Sequence, residues 1–213
     1  MKVIGITGGT GSGKTTAMRA LERLGCYAID ADEVYHRMLS EDTQMKEELR
    51  EAFPEAFRSG NFDRHVMGHM AYTDMALMEK LNAITHKYVI AEVEHLLDTG
   101  RKHNARIAII DAVLLIESGL DAMCDMVVGI VAPVETRLMR IVERDGISEE
   151  HAMLRIKAQP DEAFYREHCD YIVESGEKQN VHTAESIISF YDGIASGRIK
   201  IERGNRQRPE ENN

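Results

Sequence analysis

The chain has 213 residues, 43% of them hydrophobic, and a net charge of −10. That size suits one domain, or one domain with an insertion, and that apolar content excludes a disordered chain. The negative balance argues against a general nucleic-acid binder, so a phosphate-binding role needs positive charge gathered locally in a cleft. Cys26, Cys124 and Cys169 are far apart and form no CxxC pair, which implies neither a zinc site nor a disulfide framework. They read as thiols in a reducing, cytoplasmic setting. The opening residues reach glycines too soon for a signal peptide. No apolar run approaches the roughly 18 residues of a membrane span.

Val3-Ile4-Gly5-Ile6 is a short apolar run closed by glycines and reads as a buried strand. A helix is expected from about Gly13 to Leu24, with Met18, Leu21 and Leu24 on one face. Cys26 to Ile29 reads as a second strand. Residues 33–103 are then rich in Met, Glu, Leu and His at helical spacing, with no convincing strand, and predict a helical insertion. Strands resume at Arg106 to Asp111 and at Met126 to Val131. A charged helical stretch covers 134–168, broken near Asp145-Gly146. Tyr171 to Val173 is a short fifth strand, a last helix runs from about 182 to 195, and residues 197–213 turn polar and are expected to fray.

Strands alternating with helices predict an α/β fold, a doubly wound parallel five-stranded sheet with right-handed crossovers. The chain divides on this reading into a core of residues 1–32 and 104–196, the insertion at 33–103, and a flexible tail at 197–213.

The first strand leads into Gly8-Gly9-Thr10-Gly11-Ser12-Gly13-Lys14-Thr15, which fits G-x-x-x-x-G-K-[ST]. Strand, glycine loop and helix come in the order that a phosphate cradle requires. Glycines let the backbone approach closely, and successive N–H groups from Gly9 to Thr16 can turn toward phosphate oxygens. The helix beginning after Gly13 adds a partial positive charge. Lys14 supplies a full charge near the β- and γ-phosphates, and the Thr15 hydroxyl is placed to ligate Mg²⁺. The loop is strong for a nucleoside triphosphate and says little about the reaction.

Asp30-Ala31-Asp32-Glu33 ends the second strand, at the edge where parallel sheets bind ligands. A carboxylate there can take a proton from an attacking hydroxyl. Asp30-x-x-Glu33 also resembles a capping box, so Asp30 is read either as a helix cap or as a supporting group, and Asp32 as the candidate for chemistry. Arg137, Arg140 and Arg144 recur at spacings of three and four on one helical face. Arg155 and Gln159 lie one turn apart on the next helix. Two readings fit: a solvated face paired with Glu135, Glu143, Glu149 and Glu150, or a lid at about 135–168 whose guanidinium groups meet a triphosphate. His65 and His69 lack acidic neighbours for a metal site. Met67, Met70, Met75 and Met78 read as an adaptable apolar surface that could also line a pocket.

Taken together, these stretches resemble the dephospho-CoA kinase family, which phosphorylates the ribose 3′-hydroxyl of dephospho-CoA. The resemblance rests on the loop Thr7 to Thr15; Ile29 to Asp32; Asp63-Arg64 after Gly60; Leu81 to His86; Leu114 to Leu120; Arg140; Arg144-Asp145; and Arg155 with Ala158-Gln159. It spreads over residues 1–176 and implies a core of the nucleotide-kinase type. It implies ATP and Mg²⁺, with Asp32 as the catalytic carboxylate, Lys14, Arg140 and Arg144 on the migrating phosphoryl group, and Arg144 also among the nucleotide-binding residues. It implies that the insertion binds CoA, with Arg64 and His86 as candidate contacts, and that no nucleic acid or membrane takes part. The enzyme is then expected as a cytoplasmic monomer or weak homo-oligomer. Three positions depart from the family pattern: Val113 in place of Pro, Lys87 in place of Pro, and Ser175 in the late strand-loop motif. Two other readings remain open, a nucleoside or nucleoside-monophosphate kinase, and a nucleotide-dependent regulatory module. The latter lacks the Asn-Lys-x-Asp and Asp-x-x-Gly of a GTPase switch.

Overall fold

The computed structural model describes residues 1–58, 62–176 and 181–202. It separates into two compact units, Met1–Asp30 with the described residues from Thr99 onward, and Ala31–Asp98.

The first unit is built on five strands, β1 (Lys2–Thr7), β2 (Tyr27–Asp30), β3 (Ile107–Asp111), β4 (Met126–Val131) and β5 (Tyr171–Glu174). They form one parallel sheet in the order β2-β3-β1-β4-β5. β4 is buried at all six positions, as expected of a strand covered on both faces. β1 runs up the middle of the sheet and ends at the glycine loop. Helices α1 (Lys14–Arg23) and α9 (Val181–Ala195) supply Ala17, Met18, Leu21, Ile187 and Phe190, which pack with Ile4, Ile6, Val128 and Ile130 in one buried cluster.

The stretch 134–168 is three helices, α6 (Val134–Asp145), α7 (Glu149–Lys157) and α8 (Glu162–His168). Gly146, at φ 64°, closes α6 in the left-handed region, where glycine is favoured. Ser148 then caps α7. Pro160, which cannot continue a helix, separates α7 from α8, and Asp161 caps α8. The first break was legible in the sequence; the second is new. The expected fraying tail is corrected in part. Ile199 and Ile201 pack against the core, and the Ile199 N–H donates to the Gly193 carbonyl at 2.9 Å. Residues 203–213 lie outside the described residues.

The second unit is helical: α2 (Ala31–Glu41), α3 (Thr43–Ala52), α4 (Arg64–Thr73) and most of α5 (Met75–Lys102), which runs on into the first unit. Its core joins Leu39, Met45, Leu49, Phe53, Met67, Ala71 and Leu81. Met67 is fully inside and Met70 and Met78 pack against it, so of the methionines read as an apolar surface only Met75 is open, at 78% exposure. The unit starts at Ala31, two residues before the expected boundary, so Asp32 belongs to it rather than to the sheet. It closes at Asp98, within α5, rather than at residue 103.

Candidate active site

The loop between β1 and α1 takes its shape from contacts on its outer side. Gly13 has φ 107°, and a Cβ there would come within 3.1 Å of Ser175 Oγ. The Ser12 N–H donates to the Gly9 carbonyl at 3.0 Å, which folds Gly9 to Ser12 into a turn with Thr10 at its corner. Ser12 is 1% exposed, and its hydroxyl has no hydrogen-bond partner among the described residues. A buried orphan hydroxyl in such a loop fits an incoming phosphate oxygen. The first amides of α1 also have no carbonyl inside the helix to bond, and Thr15 lies exposed. The loop therefore fits a polyphosphate with its Mg²⁺. No group of three or more His, Cys, Asp or Glu among the described residues is arranged to hold a metal, so phosphate oxygens and water would complete its shell.

The α6 arginines divide between two tasks. Arg137 is 6% exposed and donates from Nε to the Thr10 carbonyl at 2.9 Å and from Nη2 to Gln159 Oε1 at 3.0 Å. Arg140 donates from Nη1 to the carbonyls of Gly11 and Ser12 at 3.1 and 3.3 Å and to Ser175 Oγ at 2.9 Å. Its Nη2 donates to the Gly176 carbonyl at 2.8 Å. Burial pulls both guanidinium groups below their ordinary pKa. Arg140, expected on the migrating phosphoryl group, donates in this structure to carbonyls of the loop. Arg144 is 60% exposed and shares Asp145 with Arg155; both bonds are 2.7 Å. Hydrogen bonding from Arg144 holds the Asp145 carboxyl below the usual range. The partner of these arginines is thus Asp145, not the glutamates that the sequence suggested.

Two carboxylates end neighbouring strands, Asp30 on β2 and Asp111 on β3, in register with each other, and Asp111 faces Ile6 of β1. Asp111 lies at the same sheet edge as the loop's strand and drew no attention in the sequence. Its signal was an apolar strand ending in an acid beside the loop's own strand. Asp32 and Glu33 sit in the first turn of α2, where acids favour the helix dipole. Within the helical unit, Asp63 caps α4 by accepting from the amides of His65 and Val66. Arg64 contacts His36 Nδ1 at 3.1 Å. His86 is half-buried on α5, and desolvation lowers its pKa.

A family model for dephospho-CoA kinase matches residues 2–180. The chain belongs to the dephospho-CoA kinase family. It is 35% identical over 198 residues to a dephospho-CoA kinase of Corynebacterium jeikeium, covering 92% of this chain and 100% of that one. It is 36% identical over 161 residues to one of Dehalococcoides mccartyi, covering 75% and 81%. A crystal structure from Thermus thermophilus (TT1252) superposes with a TM-score of 0.76 at 26% identity, over 93% of this chain and 98% of that one.

Two of the three departures from the dephospho-CoA kinase pattern make side-chain contacts of their own. At Val113 the carbonyl, which a proline would equally offer, accepts from the Thr7 hydroxyl at 3.1 Å. Lys87 pairs with Glu48 at 2.5 Å. Ser175 stands between Arg140 and the Thr183 hydroxyl, 2.5 Å away.

Proposed function

We propose that this protein transfers the γ-phosphoryl group of ATP to the ribose 3′-hydroxyl of dephospho-CoA, giving CoA and ADP. The observation that carries the proposal is the family match across residues 2–180, which spans the phosphate loop and the helical unit together. The amides of Gly11 and Gly13 and the first amides of α1 take the phosphate oxygens, and Lys14 neutralises the β- and γ-phosphates. The Thr15 hydroxyl would hold Mg²⁺, which would supply charge neutralisation on the triphosphate. Asp32 orients the 3′-hydroxyl and accepts its proton. The 3′-oxygen forms a bond to the γ-phosphorus as the bond from that phosphorus to the ADP oxygen breaks. Arg144, exposed at the end of α6, is the lid guanidinium free to trade Asp145 for the phosphoryl group. Arg64 and His86 belong to the acceptor side. The enzyme works in the cytoplasm on small-molecule substrates alone, as a monomer or weak homo-oligomer, without a nucleic-acid or membrane partner.

The test is an assay with ATP, Mg²⁺ and a panel of dephospho-CoA, nucleosides and nucleoside monophosphates, with the product located by mass and position. Phosphate appearing on the 3′-oxygen of dephospho-CoA is expected. Transfer to a nucleoside or nucleotide but not to dephospho-CoA would replace this reading with a nucleotide kinase. Asp32→Asn is expected to abolish transfer while ATP still binds; unchanged turnover removes Asp32 from the chemistry.

A further inference from the structure

Thr10 has three polar groups that can bond, and two side chains remote in sequence engage all three. Its N–H donates to Gln159 Oε1 at 2.7 Å, and its hydroxyl accepts from Gln159 Nε2 at 2.9 Å. Its carbonyl accepts from Arg137 Nε at 2.9 Å. Arg137 Nη2 then donates to the same Gln159 oxygen at 3.0 Å and closes the ring. Gln159 comes from the break between α7 and α8, and Arg137 from α6. Arg137 is nearly buried, and its described partners include no carboxylate. A buried guanidinium without a counter-ion is costly unless something anionic arrives nearby.

We propose that Gln159, braced by Arg137, is a latch that fixes the corner of the phosphate loop to the lid, and that Gln159 is a positioning residue for phosphoryl transfer. The inference rests on the reading of this loop as the ATP site. Thr10 is the corner of the turn closed by the Ser12-to-Gly9 hydrogen bond, so its orientation decides where the following amides point. The first amides of α1, which do not depend on the latch, hold the nucleotide's inner phosphates. The latch governs the part of the loop that meets the lid, where the terminal phosphoryl group must be held still and water kept out. Losing Gln159 frees the corner, loosens the lid segment at Ala158 to Pro160, and leaves the ADP half of the site intact.

The test combines Gln159→Leu, which keeps the volume and removes both hydrogen-bonding groups, with amide exchange at Thr10. In the wild-type protein the Thr10 amide is expected to exchange slowly, and in the variant at least about tenfold faster. Turnover of the variant should fall about 10- to 100-fold, the range for losing a hydrogen bond or two that matter only at the reacting centre. Calorimetric ADP affinity should stay within about twofold, and the ratio of ATP hydrolysis to transfer should rise. Gln159→Glu keeps an acceptor for Thr10 and Arg137 and should keep the slow exchange. Wild-type turnover in Gln159→Leu overturns the latch, as do parallel losses of ADP affinity and turnover. An unprotected Thr10 amide in the wild-type protein overturns it without any variant. Protected Thr10 and normal ADP binding, with no transfer to dephospho-CoA, would instead sink the proposed function and leave the latch standing.

Discussion

Arg140 was expected to touch the migrating phosphoryl group, and its geometry supports a different role that Arg140→Ala can test. The side chain makes four contacts between 2.8 and 3.3 Å, to Gly11, Ser12, Ser175 and Gly176. The two shortest count most. A hydrogen bond from a charged donor contributes roughly 1.5–3 kcal/mol, and discounting for partial exposure leaves about 2–4 kcal/mol for the whole set. At roughly 2–4 °C per kcal/mol for a chain of this size, the melting temperature should drop by about 5–15 °C. ADP and ATP should both bind about tenfold more weakly, because the loop that holds them has lost its backing. Arg140→Lys should recover little, since one ammonium cannot reach four acceptors with the geometry of a planar fork. The assays are thermal melting and calorimetric titration with each nucleotide. If Arg140→Ala melts and binds ADP like the wild type but has lost turnover, the guanidinium acts on the transferred group and the argument from carbonyl contacts is wrong.

Three further outcomes follow from other parts of the molecule. A Cβ at Gly9 would stand 2.2 Å from Arg137 Nη2, so Gly9→Ala should expel the guanidinium and cost about 1.5–3 kcal/mol in a melting assay. The same change in an Arg137→Ala background should cost under about 0.5 kcal/mol, and simple additivity would refute the contact. Gly68 lies within α4 with nothing within 4 Å of an added Cβ, so Gly68→Ala should stabilise by about 0.5–1 kcal/mol; a lower melting temperature would contradict that open space. Burial pushes the Cys26 thiol up to about 11, so at pH 8 only about one molecule in a thousand carries the thiolate. Alkylation of the native protein, followed by mass spectrometry, should mark the half-buried Cys169 well before Cys26, and early labelling of Cys26 would show that the site opens.

The order of strands and helices was legible because apolar runs and glycines announce themselves locally. Met126 to Val131 could be read to the residue, and the loop from Gly8 to Thr15 needed only its pattern. The second break in the lid stretch was missed, although Gln159-Pro160 carries its own signal in the proline. Side-chain direction was harder to read. Arg137 and Thr10 are 127 positions apart, and Gln159 and Thr10 are 149 apart. Helical spacing put Arg137, Arg140 and Arg144 on one face but could not say what that face meets. Ile199 and Ile201 were misread because the polar residues that follow them dominate the composition of the tail, while two apolar side chains suffice to pin it to the core.

The two buried-side arginines show how a chain of net charge −10 can prepare a phosphate site without placing every cation on the phosphate. In a trans peptide the carbonyl of one residue and the N–H of the next point in opposite directions. Arg137 holds the carbonyl of Thr10, and Arg140 holds those of Gly11 and Ser12. Fixing those oxygens on the outer side turns the N–H groups of Gly11, Ser12 and Gly13 the other way. The Ser12 N–H closes the turn onto Gly9, and peptide planarity turns the amides of Gly11 and Gly13 away from the arginines. The guanidinium groups thus set the direction of backbone dipoles before any ligand arrives, the preorganisation that electrostatic catalysis depends on. A lysine at either position would keep the charge but lose the fork that holds several acceptors at once. What the arginines contribute on this argument is geometry first and charge second.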